Sequence, residues 1–124
     1  MSNPPALKLR LQIRCGDEIA MGPGKADLLD AIAAEGSISA AARAMGMSYR
    51  RAWMLVDVMN RCWSGPLVET VAGGGRERGA KLTPLGAQVL QVYRTMDAAA
   101  LQGASAGFAG LAALLAPAPR PPQV

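Results

Sequence analysis

Four consecutive residues with hydrogen-bonding or cationic side chains, Ser48-Tyr49-Arg50-Arg51, stand before a stretch without glycine or proline. Serine is a favoured N-cap, so the pattern predicts a helix over residues 49–63 that begins with these side chains. A helix N-terminus attracts anions through its partial positive charge and free N–H groups. Arg50 and Arg51 can each bond guanine O6 and N7 or neutralise a phosphate. Tyr49 can donate to a phosphate or pack on a thymine methyl. The pattern therefore predicts recognition of double-stranded DNA.

Further candidates for DNA contact surround this predicted helix. Met54 lies one turn beyond Arg50 and can touch bases through apolar contact. Side chains of the preceding predicted helix can fix the register on the DNA backbone without reading sequence. A glycine-rich loop over residues 73–79 can follow a groove or a run of phosphates closely. The complete predicted set is Ser37, Ser39, Arg43, Ser48, Tyr49, Arg50, Arg51, Met54, Arg76, Arg78 and Lys81.

Several other chemistries are excluded or disfavoured. The chain has no histidine, which removes the commonest general base and metal ligand. Cys15 and Cys62 cannot form a zinc site by themselves. The glycine loop lacks the Gly-Lys-Ser/Thr ending of a nucleotide-binding loop. Asp27 and Asp30 are predicted to be solvated charges on an exposed helix face rather than an acid–base pair. We expect no enzyme activity, no catalytic or metal-binding residue, no cofactor and no small-molecule site.

The predicted elements arrange these residues as a helix-turn-helix. Alternating apolar and polar residues predict a half-buried strand over 7–15. An amphipathic helix follows over 24–35, with Gly36 at its C′ position. Ser37 or Ser39 caps a short helix over 40–45, which Gly46 ends. The helix over 49–63 comes next, and its joint with the short helix has the helix-turn-helix layout.

The second half of the chain predicts a hairpin and a long helix. Strands over 67–71 and 80–83 flank the glycine loop, and the N-terminal strand is expected to pair with them. Thr83 caps and Pro84 opens a helix over 84–101. Residues 103–116 favour a weak helix, and 117–124 a disordered, proline-rich tail. The predicted fold is mainly α with a small antiparallel sheet, a winged helix-turn-helix over residues 1–102 and a tail over 103–124.

Packing positions follow from the apolar pattern. Ala52, Val56, Met59 and Trp63 can share one face of the third helix. We expect both Trp53 and Trp63 to pack in the core or in a dimer interface, and Cys62 to be a small buried apolar residue. The last long helix carries an apolar stripe of Leu85, Val89, Val92, Tyr93 and Met96.

Charge and composition fit a polyanion partner. The 124-residue chain has a net charge of +4, and seven basic against three acidic side chains fall between residues 37 and 81. The first apolar residues alternate with basic ones instead of forming a signal peptide. No stretch of about 18 apolar residues predicts a membrane span. We expect reduced thiols and a location in the bacterial cytoplasm.

The string Gly36-Ser-Ile-Ser-Ala-Ala-Ala-Arg-Ala-Met-Gly-Met-Ser-Tyr-Arg-Arg-Ala-Trp53 resembles the helix-turn-helix of the ModE family, molybdate-responsive transcriptional regulators. Its Ser-x-Ser-Ala-Ala-Ala part is shared with LysR-type regulators. The Ser-Tyr-basic-x-Ala-Trp string and the following Asp-x-Met-Asn are specific. The resemblance runs over about residues 7–100. It implies a dimeric winged-helix DNA-binding domain, with core or dimer positions at Leu85, Val89, Val92 and Met96.

The C-terminal part departs from this family. Full-length members carry oxyanion-binding domains after the DNA-binding domain, whereas about 22 residues follow the predicted helix over 84–101 here. We therefore expect the DNA-binding half alone, without a molybdate site. The leading hypothesis is a homodimeric transcriptional regulator that reads an inverted repeat. The alternative is a winged-helix module that pairs with a full-length regulator and modulates it.

Overall fold

The computed structural model describes residues 4–71 and 79–123. Two short strands precede three helices, and a second pair of strands precedes a long last helix. The elements are β1 (Ile13–Cys15), β2 (Glu18–Met21), α1 (Pro23–Glu35), α2 (Ile38–Ala44), α3 (Tyr49–Cys62), β3 (Val68–Val71), β4 (Gly79–Leu82) and α4 (Pro84–Ala112). This is the predicted winged helix-turn-helix order, with one strand more than the sequence pattern indicated.

Local signals set the ends of the first three helices. Pro23 occupies the first turn of α1, and Gly36 ends it in the left-handed region at φ 80°. Ser37, rather than Ser39, caps α2, since its Oγ accepts from the Ala40 N–H at 3.1 Å. The Ser48 Oγ accepts from the Arg51 N–H at 3.0 Å and so caps α3 as predicted. The three predicted helices are confirmed to within two residues at each end.

The N-terminal segment differs from its prediction. Only residues 13–15 of the predicted strand are in a ladder, and their partner is β2, an antiparallel strand that the sequence reading missed. The pairs β1–β2 and β3–β4 form two separate sheets, so the predicted pairing of the N-terminal strand with the second hairpin is wrong. A turn at Gly16, with φ 59°, brings β2 back at once. So short a loop costs little closure entropy, which favours this local pairing.

The second hairpin is the wing of the fold. Strands β3 and β4 pair in register, with Glu69 opposite Lys81 and Val68 opposite Leu82. Arg76 and Arg78 belong to the tip, residues 72–78, and lie outside the described residues. Their predicted DNA contacts therefore stay predictions.

Helix α4 begins at Pro84, as predicted, and ends at Ala112, eleven residues beyond the predicted end at residue 101. The Thr83 Oγ1 accepts from the Gly86 N–H at 2.9 Å and donates to the Pro66 carbonyl at 2.7 Å. The helix then continues through Ala112 without a break at Gly103. Alanine is the strongest helix former, and the alanines around each glycine offset its weak propensity.

The core lies between α1, α2 and α3 and extends to the wing and the first turns of α4. Its buried face on α4 is formed by Gly86, Leu90 and Tyr93. Leu85 and Val89 pack partly against the core, whereas Val92 and Met96 are 51% and 46% exposed. The largest fully buried side chains are Tyr93, Met21, Leu28, Leu29, Ile32, Met59, Leu67 and Val56. Within the described residues, no helix has both the length and the apolarity to cross a membrane.

Candidate nucleic-acid interface

The third helix presents one face to the core and the opposite face to solvent. Ala52, Val56 and Met59 are buried, which confirms their predicted face. Residues four apart share a helix face, so Arg50 and Met54 lie together on the far side. Both are exposed, and the side chain of Met54 is 61% exposed. Arg50 and Met54 thus form the outward surface of α3.

The turn before α3 holds that surface clear of the core. Gly46 adopts φ 67°, a conformation that favours glycine, and the Met47 N–H donates to the Ala42 carbonyl at 3.0 Å. Arg43 is exposed in the last turn of α2, close in sequence to this turn. Ser37 and Ser39 are half-buried. Arg43 is thus accessible to a ligand, whereas Ser37 and Ser39 are only partly accessible.

Two aromatic side chains cover one flank of α3. The rings of Tyr49 and Trp53 meet edge to face, with centroids 6.2 Å apart and planes at 86°. This pair fixes the orientation of the Tyr49 ring, which remains 54% exposed. Trp53 is 36% exposed, so it lies at the edge of the core rather than inside it. Trp63 is half-buried, and its indole N–H donates to the Ala20 carbonyl at 3.1 Å, as expected for a packing residue.

Asn60 joins α3 to the wing. Its Oδ1 accepts from the N–H groups of Leu67 and Val68 at 2.9 and 3.1 Å. Its Nδ2 donates to the Val68 carbonyl at 3.1 Å. One side chain therefore satisfies three backbone groups at the start of β3, and it fixes the angle between α3 and the wing. The sequence reading included Asn60 in a motif but did not assign it this role.

Lys81 lies on the wing with a carboxylate beside it. Its Nζ is 3.5 Å from Glu69 Oε1 across the β3–β4 ladder, and both side chains are about half exposed. An exposed pair of this kind is weak, because water and salt screen it. Lys81 therefore remains available to a stronger anion, although Glu69 reduces the positive potential around it.

The two carboxylates of α1 that are predicted to be solvated charges are exposed and also make ion pairs. Arg94 of α4 reaches Asp27 Oδ1 at 2.8 Å and Asp30 Oδ2 at 2.6 Å. The hydrogen bond to Asp27, followed by that to Asp30, raises the pKa of Arg94. These contacts attach α4 to α1. Asp27 and Asp30 are exposed, as predicted, and their long-range partner Arg94 is one that a local sequence pattern does not reveal.

Both cysteines are free thiols. Cys62 is half-buried near the end of α3, less enclosed than predicted, and Cys15 is exposed on β1. Burial, and then the neighbouring Cys15, raise the pKa of the Cys62 thiol. No group of three metal-binding side chains occurs among residues 4–71 and 79–123.

The sequence family model for bacterial regulatory helix-turn-helix proteins of the lysR family matches residues 25–87 of the chain. The chain is 46% identical over 70 residues to the molybdenum transport protein ModE of Herbaspirillum seropedicae, a match over 56% of this chain and 26% of that protein. It is 44% identical over 78 residues to the molybdenum-pterin-binding protein MopB of Rhodobacter capsulatus, over 63% and 29%. It is 35% identical over 86 residues to the DNA-binding transcriptional dual regulator ModE of Escherichia coli, over 69% and 33%. The matches therefore span about a third or less of the length of these relatives.

Proposed function

The chain belongs to the lysR family of bacterial regulatory helix-turn-helix proteins, and from this premise we propose that it is a sequence-specific DNA-binding transcriptional regulator. The observation that carries the proposal is the start of α3, which is capped by Ser48 and presents Tyr49, Arg50, Arg51 and Met54 to solvent. In helix-turn-helix proteins this part of the second helix enters the major groove and contacts base edges. A regulator of this kind acts by binding DNA and needs no catalytic residue. We propose that it acts in the bacterial cytoplasm.

Several of the predicted contact residues have distinct roles in this proposal. Arg50 and Met54 read base edges, and Tyr49 contacts the DNA with its ring held by Trp53. Arg43 on α2 and Lys81 on the wing bind phosphates. The partly open serines contribute through their hydroxyl groups. The residues proposed to bind DNA are Ser37, Ser39, Arg43, Ser48, Tyr49, Arg50, Arg51, Met54, Arg76, Arg78 and Lys81, of which Arg76 and Arg78 lie outside the described residues.

We further propose that the protein acts as a homodimer on an inverted repeat. Val92 and Met96 are exposed apolar residues one turn apart on the same face of α4. Burial of this pair against a second copy removes apolar surface from water. A two-fold axis would then place two α3 helices in successive major grooves, with half-sites about one helical turn apart or a multiple of it. Sedimentation velocity should show a dimer, and Val92→Glu with Met96→Glu should give a monomer.

The names of the relatives connect the proposal to molybdenum. Two of those proteins are named as a molybdenum transport protein and a molybdenum-pterin-binding protein. We propose that this chain regulates genes related to molybdenum. The shared segment corresponds to the helix-turn-helix part, so the proposal concerns the regulated genes and not a molybdate site.

Selection from a random duplex library tests the function. The purified chain should enrich one motif, and titration by fluorescence anisotropy should show much tighter binding to that duplex than to a scrambled duplex. Affinity should fall steeply with salt, because phosphate contacts release counterions. Enrichment of no motif, with weak binding that is equal for both duplexes, would contradict the proposal.

A second candidate function rests on the C-terminal half of α4 and the residues after it. Leu111, Leu114 and Leu115 are 66%, 81% and 57% exposed. This apolar surface fits a module that pairs with a full-length regulator and modulates it. One measurement distinguishes the two functions. Tight binding of the selected duplex by the homodimer alone would show that the chain is a regulator by itself and does not need a full-length partner.

A further inference from the structure

A groove with a strongly basic rim lies beside α3, on the flank opposite Trp53. Three elements contribute a cationic side chain to it: Arg10 from the N-terminal segment, Lys25 from α1 and Arg51 from α3. No aspartate or glutamate is among the residues that line it, and its volume is about 290 Å³. The sequence reading assigned neither Arg10 nor Lys25 to the interface, because they are far from Arg51 along the chain.

These cations are available to an external anion. None of the ion pairs within the described residues involves any of the three. Arg10 and Arg51 are exposed and Lys25 is half-buried. Ile19, Met47 and Leu55 also line the groove, so apolar side chains lie beneath the charges. Low-dielectric walls of this kind concentrate the field of one-signed charge.

The N-terminus of α1, beside the groove, carries no negative charge that would offset the positive potential of the three cations. Gly22, the N-cap of α1, has no side chain to accept a hydrogen bond, and no acidic residue occurs in the first turn. The three side-chain charges provide the site, and the end of α1 adds to the same positive field.

The groove also separates the two arginines at the start of α3. Adjacent residues on a helix are about 100° apart around its axis. Arg51 and Leu55, four residues apart, both line the groove, whereas Arg50 and Met54 are not among its lining residues. Arg50 therefore lies at the centre of the outward face, and Arg51 lies at its edge, next to Arg10 and Lys25.

We infer that this groove binds a phosphate of the DNA backbone, through Arg10, Lys25 and Arg51, when α3 occupies the major groove. This inference rests on the proposed function and extends it, because it adds the N-terminal segment and α1 to the interface. It also divides the work of the arginine pair: Arg51 positions the protein on the backbone, and Arg50 reads bases. Backbone contacts fix register and carry no direct sequence information.

The test is a salt titration of the double variant Arg10→Ala/Lys25→Ala on the selected duplex and on a scrambled duplex. Each phosphate contact contributes about 0.9 to the slope of log K against log salt. The groove binds one phosphate, so we expect the slope to become shallower by up to about 0.9. We expect affinity at 0.1 M salt to fall roughly tenfold or more, by the same factor for both duplexes.

Two controls accompany this variant. Arg14→Ala removes one exposed cation from β1, outside the groove, and should leave the slope near that of the wild type. The charge-preserving variant Arg10→Lys/Lys25→Arg should retain most of the slope and affinity. Equal melting temperatures by circular dichroism would establish that the alanine variant is folded.

Three results would overturn the inference. The first is an unchanged slope in the double alanine variant. The second is an equal loss per removed charge in Arg14→Ala. The third is a changed preference between the two duplexes, which would assign these side chains to base reading. Wild-type protein that binds no duplex would refute the proposed function itself, and the inference with it.

Discussion

The substitution Gly86→Ala tests how closely the first turn of α4 approaches the segment before the wing. A Cβ at position 86 would collide with the carbonyl oxygen of Leu67 and would lie 2.9 Å from its carbonyl carbon. The backbone of a buried residue cannot yield as a flexible side chain can. Overpacking of this kind costs about 1–3 kcal/mol and sometimes more. Helix propensity alone favours alanine over glycine by about 1 kcal/mol, so the two effects have opposite signs.

Gly103→Ala is the matched control in the same helix. A Cβ at position 103 would meet no atom within 4 Å. Only the propensity effect remains there, so this variant should be as stable as the wild type or more stable. For a domain of this size, 1 kcal/mol shifts the melting temperature by roughly 3–6 °C.

Thermal melts followed by circular dichroism at one fixed protein concentration provide the measurement. Because the clash is with backbone atoms, we take the upper end of that range: about 3 kcal/mol of overpacking less about 1 kcal/mol of helix propensity leaves about 2 kcal/mol. We therefore expect Gly86→Ala to melt roughly 6–12 °C below the wild type and Gly103→Ala at or above it. A Gly86→Ala variant as stable as the wild type would refute the close approach. The backbone of Leu67 would then have to lie farther from Gly86 of α4 than it does in the structure.

Two further predictions concern the attachment of the wing and its charge. Asn60→Ala leaves the buried N–H groups of Leu67 and Val68 without their acceptor, and it should lower the free energy of unfolding by at least about 2 kcal/mol in urea titrations; an unchanged midpoint would show that other acceptors replace the side chain. Glu69→Gln removes the carboxylate beside Lys81, and a unit charge about 10 Å from a phosphate is worth roughly 0.4 kcal/mol in water. The Glu69→Gln variant should bind the selected duplex about twofold more tightly at low salt and with the wild-type affinity at high salt. The control Asp97→Asn on α4 should leave the affinity unchanged at both salt concentrations. A gain of Glu69→Gln that persists at high salt would contradict an electrostatic cause.

Local chemistry made the helices predictable from sequence. The caps at Ser48 and Thr83 and the glycine at position 36 act within a few residues of their own position. A pattern over adjacent residues contains all the information they need. The start of α3, and with it the candidate interface, could therefore be placed before the structure was known.

Contacts between distant parts of the chain were not predictable in this way. Arg94 meets Asp27 across 67 residues, and the Tyr93 hydroxyl donates to the Leu11 carbonyl across 82 residues, at 2.9 Å. The basic groove depends on the same kind of proximity, since Arg10 and Arg51 come together only through packing. Strand β2 was missed for another reason: its four residues, Glu18–Met21, are too few to show a clear alternation.

Discrimination between DNA sequences by Arg50 is the most direct test of the account. The measurement is the ratio of affinities for the selected and scrambled duplexes, for the wild type and for Arg50→Ala. A bidentate contact to a guanine is worth about 1–3 kcal/mol of discrimination, so the ratio should fall roughly 5- to 150-fold in the variant. Its salt slope should stay near the wild-type value. An unchanged ratio would contradict the central claim that the N-terminus of α3 reads the DNA sequence.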